Sequence, residues 1–220
     1  MNYLSFDVGI KNLAYCNLTQ DKVIVDWGII NLNENPICQV HLKKKCEKQS
    51  TYYVKDEGDI KHCCTAHSKK FKKLKKMNVN HDLSKLSQIC ITKLRELNLE
   101  DVKTILIENQ PALKNPVMKS IQMIIYTFFV IEGVMNKDCL IENIHMVNAR
   151  NKLKVYKGPK IECNKKGKYA QNKYLSVEYT KKMIEKDNDH FQQLFDQSKK
   201  KDDLADSYLQ GIYWIEKMSV

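Results

Sequence analysis

The chain has 220 residues, 43% of them hydrophobic, and its 37 Lys and Arg outweigh 26 Asp and Glu to give a formal net charge of +11. That length holds one substantial core with an insertion, and the charge favours a polyanionic partner, nucleic acid or an anionic membrane. Membrane is not expected: the longest apolar run, residues 121–134, is broken by Gln122 and Glu132 and is too short to span, while Asp7 and Lys11 break any secretory h-region.

Residues 2–8, 12–19 and 22–31 read as three short strands, rich in Val, Ile, Leu, Tyr and Phe. Gly9 and residues 19–22 mark tight connections, so an antiparallel meander is expected. Residues 34–78 break the pattern. From Lys43 to Lys76 there are twelve lysines against four acids (Glu47, Asp56, Glu57 and Asp59), and the segment reads as an inserted basic module outside the sheet. Order resumes with a helix over 80–98, where Leu83, Leu86, Ile89, Cys90, Leu94 and Leu97 recur at helical spacing. Residues 102–107 form a compact strand ending in Glu108, stopped by Asn109-Gln110-Pro111. A helix over 116–135 is apolar nearly all round, which suits a core helix or a dimer helix buried on more than one side.

Residues 141–147 give a fifth strand. Residues 150–173 are lysine-rich and carry Gly158-Pro159 and Gly167, as a solvated loop or one lying along a phosphate backbone would. Helices are expected over 171–186 and 201–217, with a short helical turn between them at 189–198. The fold class is therefore α/β, a mixed sheet with an antiparallel start and a parallel finish, as one domain over 1–220 containing the insertion.

Four acids fall at element ends. Asp7 closes the first strand and Glu108 the fourth. Asp203 and Asp206 stand three apart near the start of the last helix, on one face, whereas Asp202 points about 100° away. Converging carboxylates repel, and an acid at the end of a buried strand is costly unless paired. A hard divalent cation, Mg²⁺ or Mn²⁺, takes such oxygens, and two of them clamp the attacking and leaving oxygens of a phosphodiester.

Three blocks carry a resemblance. They are Ser5-Phe6-Asp7-Val8-Gly9-Ile10-Lys11-Asn12-Leu13-Ala14, Ile107-Glu108-Asn109-Gln110-Pro111 and Lys200-Lys201-Asp202-Asp203-Leu204-Ala205-Asp206-Ser207. In this order they resemble the poxvirus-type Holliday junction resolvases, relatives of the RuvC and fungal mitochondrial enzymes in the ribonuclease H-like superfamily. The segment from His145 to Leu153 resembles that family's fifth strand and following loop. The resemblance implies a five-stranded sheet with the Asp7 and Glu108 strands adjacent, and a homodimer on a four-way DNA junction. It implies two metal ions per site, held by Asp7, Glu108, Asp203 and Asp206, and hydrolysis to 5′-phosphate and 3′-hydroxyl ends. The expected product is a pair of symmetric nicks, in recombination and genome processing. Lys11, Arg150, Lys152 and Lys200 are the expected DNA contacts. No small-molecule substrate is implied, and the compartment would be the host cytoplasm, with the nucleus open.

Cys16, Cys90 and Cys139 lie in apolar contexts, and Cys163 is isolated. Cys38, Cys46, Cys63 and Cys64 cluster with histidines inside the insertion. A local Cys/His cluster in an intracellular protein reads as metal-binding before it reads as disulfide-bonded. By spacing the best tetrahedral Zn²⁺ set is Cys38, Cys46, Cys64 and His67, with Cys63 or His41 as alternates. Zinc would supply folding energy to a stretch with little core of its own, and its lysines would contact phosphates. Two other functions fit the same residues: a ribonuclease H-like nuclease acting on RNA–DNA hybrid or damaged DNA, and a non-catalytic zinc-dependent nucleic-acid-binding module.

Overall fold

The computed structural model describes residues 1–33, 35–40, 45–56, 59–77, 82–113, 115–185 and 189–218. Its strands are β1 (Asn2–Asp7), β2 (Asn12–Thr19), β3 (Ile24–Asn31), β4 (Tyr52–Asp56), β5 (Asp59–Cys63), β6 (Lys75–Lys76), β7 (Val102–Glu108) and β8 (Asn143–Val147). Its helices are α1 (Thr65–Ser68), α2 (Leu83–Leu94), α3 (Pro116–Phe129), α4 (Lys168–Met183), α5 (Asp189–Gln197) and α6 (Lys201–Met218). Two compact units divide the chain, one of residues 1–32 and 82–220, the other of residues 33–81.

The first unit is built on a five-stranded sheet in the order β3-β2-β1-β7-β8. The β3-β2-β1 part is antiparallel, and β1-β7 and β7-β8 are parallel. This is the mixed sheet expected from the order of elements. Side chains alternate across it with period two. Leu4, Phe6, Leu13, Ile105 and Ile107 join a core with α2 and α3, including Leu86, Cys90, Ile121, Ile125 and Phe129. Tyr3, Cys16, Leu18, Trp27 and Leu106 join the opposite core with α5 and α6, including Phe195, Leu204, Tyr208 and Ile212. By the same alternation Asp7 and Glu108 face α6.

Helix α6 is drawn close to the sheet. A Cβ at Gly211 would stand 2.5 Å from Leu18 Cδ1, so glycine permits the approach. The buried Trp27 Nε1 donates to the Leu204 carbonyl at 3.1 Å, and Gln210 Nε2 donates to Ser5 Oγ and to the Phe6 carbonyl, each at 3.1 Å. Trp27 also stacks on Phe195, with centroids 5.2 Å apart.

Helix α3 begins at Pro116 and continues as a π-helical turn over Val130–Val134, which matches the helix expected over 116–135, while several other expectations change. By length and composition Pro116–Val134 could cross a membrane. Here it buries Ile121, Gln122, Ile125, Phe128 and Phe129. It is not covered all round, because Met123, Ile131 and Val134 are exposed. The segment expected as a loop over 150–173 begins with a 3₁₀ turn, Ala149–Val155, and α4 starts at Lys168. The expected turn at 189–198 is the nine-residue α5.

Residues 33–81 are not a bare basic loop. They hold a three-stranded sheet in the order β5-β4-β6, antiparallel throughout, and the short α1. Their core is small: Cys38, Cys63 and Cys64 are buried, with Val40, Cys46, Tyr52, Phe71 and Leu74 partly so. His41, one alternate zinc ligand, lies outside the described residues.

Candidate active site and a Cys/His cluster

Parallel pairing of β1 with β7 puts Phe6 beside Ile107, so Asp7 and Glu108 leave adjacent strands at the same end. Pairing of β7 with β8 puts Val147 beside Glu108, and the 3₁₀ turn that follows emerges there too. Asp203 and Asp206 lie in the first turns of α6, which the Trp27 and Gln210 contacts press onto this end. The result is a pocket of about 530 Å³ lined by all four acids. Gly9 shapes its floor, since a Cβ there would meet the Asn12 carbonyl oxygen at 2.4 Å.

The acids are gathered around an amine. Lys152 Nζ lies 2.6 Å from Asp206 Oδ2 and 3.6 Å from both Asp7 Oδ1 and Glu108 Oε1. Lys152, an expected DNA contact, holds its ammonium against three carboxylates, with only 13% of its side chain exposed. Periodicity gives no hint of this. The position follows from topology, because the chain leaving β8 must pass the ends of β1 and β7. Asp203 stands apart from the amine, accepting from Asn12 Nδ2 at 3.3 Å and lying 3.8 Å from Lys200 Nζ. Asp202 pairs with Lys173 of α4. Gln110 Nε2 donates to Glu108 Oε2 at 2.7 Å. Asn12, Gln110 and Lys173 were not anticipated from sequence. Lys11 and Arg150 are exposed and, with Lys200, line the same pocket.

Burial raises the Asp7 carboxyl well above its ordinary value, and Glu108 adds to this while Lys152 opposes it. Burial raises Asp206 as well, against the pull of Lys152. Burial works to lower Lys152, but Asp7, Asp206 and Glu108 outweigh it and hold the ammonium above its usual range. One amine cannot neutralise three carboxylates, so the site is left with surplus negative charge. An oxygen-only donor set with that surplus fits a hard divalent cation. Asp7, Glu108, Asp206 and, one turn back on α6, Asp203 would hold it. Bound there, the metal supplies Lewis-acid polarisation of a phosphoryl oxygen and activation of water.

In the second unit the ligand atoms of Cys38, Cys46, Cys64 and His67 all lie within 4.8 Å of one another. Cys38 Sγ is 3.4 Å from His67 Nδ1, and Cys46 Sγ is 4.0 Å from Cys64 Sγ. Metal–sulfur bonds of about 2.3 Å in a tetrahedron place sulfurs about 3.8 Å apart, close to this spacing. Burial works to raise the Cys64 thiol, but the His67 amide, the Cys38 thiol and the Ala66 amide together bring it below its ordinary value. The four gathered residues are those favoured by spacing. Cys63, the other alternate, is buried next to Cys64 and outside the gathered four.

Residues 3–112, half of the chain, match the family described as mitochondrial resolvase Ydc2 / RNA splicing MRS1. The chain belongs to that family. The yeast mitochondrial Holliday junction resolvase Ydc2 superposes with a TM-score of 0.56 at 17% identity, over 99% of this chain and 80% of that one. A fowlpox virus resolvase solved with Holliday junction DNA gives 0.49 at 19% identity, over 99% of both chains. An uncharacterized protein of Acanthamoeba polyphaga mimivirus, L451, is 28% identical over 98% of this chain and 75% of its own length. The five-stranded sheet is thus a ribonuclease H-like resolvase fold, as the sequence motifs implied. Membership in a resolvase family also brings divalent-metal dependence with it.

Proposed function

We propose that this family member is a Holliday junction resolvase, a metal-dependent endonuclease that cuts four-way DNA junctions. The reading rests above all on one observation: four carboxylates from two strand ends and one helix line a single pocket whose rim carries Lys11, Arg150 and Lys200. The basic groups engage the phosphate backbone without reading bases. The acids hold Mg²⁺ or Mn²⁺, two ions per site, while Lys152 compensates part of their charge. Hydrolysis leaves 5′-phosphate and 3′-hydroxyl ends. A four-way junction is two-fold symmetric, so the working unit is a homodimer that places paired nicks in opposed strands. An apolar groove lined by Ile91, Met123, Ile124, Phe128 and Ile131 supports a surface for a second copy. The Cys38, Cys46, Cys64 and His67 cluster takes Zn²⁺ as a structural ion, because thiolate and imidazole suit zinc and not the hard cations. We place the protein in recombination and genome processing, in the host cytoplasm.

The test is a cleavage panel of four-way junction, fork, duplex and RNA–DNA hybrid, run with Mg²⁺ and with chelator. Symmetric, ligatable nicks confined to the junction are expected. Cutting mainly of hybrid would replace the substrate, and absence of any metal-dependent cutting would favour the non-catalytic reading.

A further inference from the structure

Every Phe, Tyr and Trp of this chain lies among the described residues, and Tyr169 alone of them is exposed. It shows 74% of its surface. It also lines the pocket that holds the four acids. An aromatic ring left in water forfeits the burial that the others achieve, and here that loss falls at the mouth of the acidic site.

The ring is held in place. Gly167, with φ of +85°, turns the chain into α4, and Tyr169 follows as the second residue of that helix. The Lys173 ammonium, one turn further on, lies 5.2 Å from the ring centroid. Lys173 in turn pairs with Asp202, the neighbour of Asp203 on α6. The tyrosine is thereby tied through one cation to the helix that carries two of the acids.

We propose that Tyr169 is a substrate-positioning residue that stacks on a nucleobase bordering the phosphate presented to the acids. The proposal rests on the nuclease reading above and deepens it. At a branch point, bases next to the crossover lose a stacking neighbour, so a protein ring offers them a surface at little cost. Stacking is tolerant of base identity, because every base has a π-face. Tyr169 therefore favours an opened backbone over continuous duplex without imposing a sequence.

The experiment uses the full chain with a synthetic four-way junction carrying 5-iododeoxyuridine at single positions around the crossover. Irradiation should crosslink Tyr169 to the base beside the nick, as read by mass spectrometry. In cleavage assays Tyr169→Ala should raise KM roughly 5- to 150-fold, the range set by the loss of one base–aromatic stack. Tyr169→Phe should keep wild-type KM, and Tyr169→Leu should behave like the alanine variant. An exposed side chain leaves folding unaffected, which circular dichroism checks. Unchanged KM in Tyr169→Ala, together with crosslinks elsewhere, would overturn the proposal while leaving the nuclease reading intact. If the wild-type chain cuts no DNA, the nuclease reading fails first, and this one with it.

Discussion

Lys152 brings one positive charge to Asp7, Glu108 and Asp206, and the shortfall is felt at the residue scale. Asp7 and Asp206 are both raised above the ordinary carboxylate value, chiefly by burial. Their folded-state pKa values thus exceed the unfolded reference of about 3.9. The folded chain then binds more protons than the unfolded one in the window above that reference. Metal-free stability is highest at the acid end of the window and falls as pH rises through the raised values. A divalent cation should reverse the trend, and protons should compete it off as pH drops. Asp7→Asn removes one charge from the group. It should abolish cleavage and yet raise the metal-free Tm, by about 2–4 °C for each kcal/mol of repulsion relieved. Thermal melts from about pH 4 to 8, with and without Mn²⁺, check both statements. A lower Tm for the asparagine variant would show that Asp7 is satisfied by Lys152 alone.

At the scale of elements, the site depends on how closely α6 approaches the sheet. Gly211 sits opposite Leu18, where a Cβ would come within 2.5 Å of a methyl carbon in a filled core. Gly211→Val would push α6 outward. The expected cost is 1–3 kcal/mol of overpacking, roughly, and a loss of cleavage larger than any loss of binding. Urea unfolding and gel-shift titration separate the two effects; equal losses of binding and cleavage would count against α6 as the positioning element. The main strands were legible as short apolar runs, because β1, β2 and β7 are buried on both faces, and α6 was legible from the helical spacing of Leu204, Tyr208, Ile212 and Ile215. The small β5-β4-β6 sheet was not. Its strands, such as Asp59–Cys63, carry polar residues on both faces, so alternation has nothing to mark. Lys152 escaped for a different reason. A lysine in a basic stretch looks like every other, and its role comes from β8 ending beside Glu108.

At the scale of the whole molecule, the net charge is concentrated. Residues 33–81 hold twelve lysines against five acids, out of a total of +11 for the chain. This unit also has the smaller core, in which Cys38, Cys46 and Cys64 of the Cys/His cluster pack with Cys63 and a few apolar side chains. Units of such size commonly need a metal to fold. Removing the zinc proposed for that cluster should unfold residues 33–81 and leave the five-stranded sheet standing. Hydrogen exchange would register this as lost protection confined to β4, β5 and β6. Junction affinity should fall and its salt dependence flatten, because fewer phosphates would be neutralised. Unchanged protection after chelation would mean that the unit folds without metal.

The pairing of β1 with β7, and the closure of α6 over both, also bears on which pieces of the chain are dangerous. Asn12 and Asp203 touch across 191 positions of sequence, and the local β1-β2 hairpin contains one of the four acids, Asp7. A proteolysed or interrupted chain missing either β1 or α6 cannot gather the four acids, so its fragments should lack the proposed cutting activity. The same geometry makes the protein divisible. Halves separated within residues 33–81 should each be inert and should recover cutting only when brought together, as a conditional nuclease switched on by reassociation.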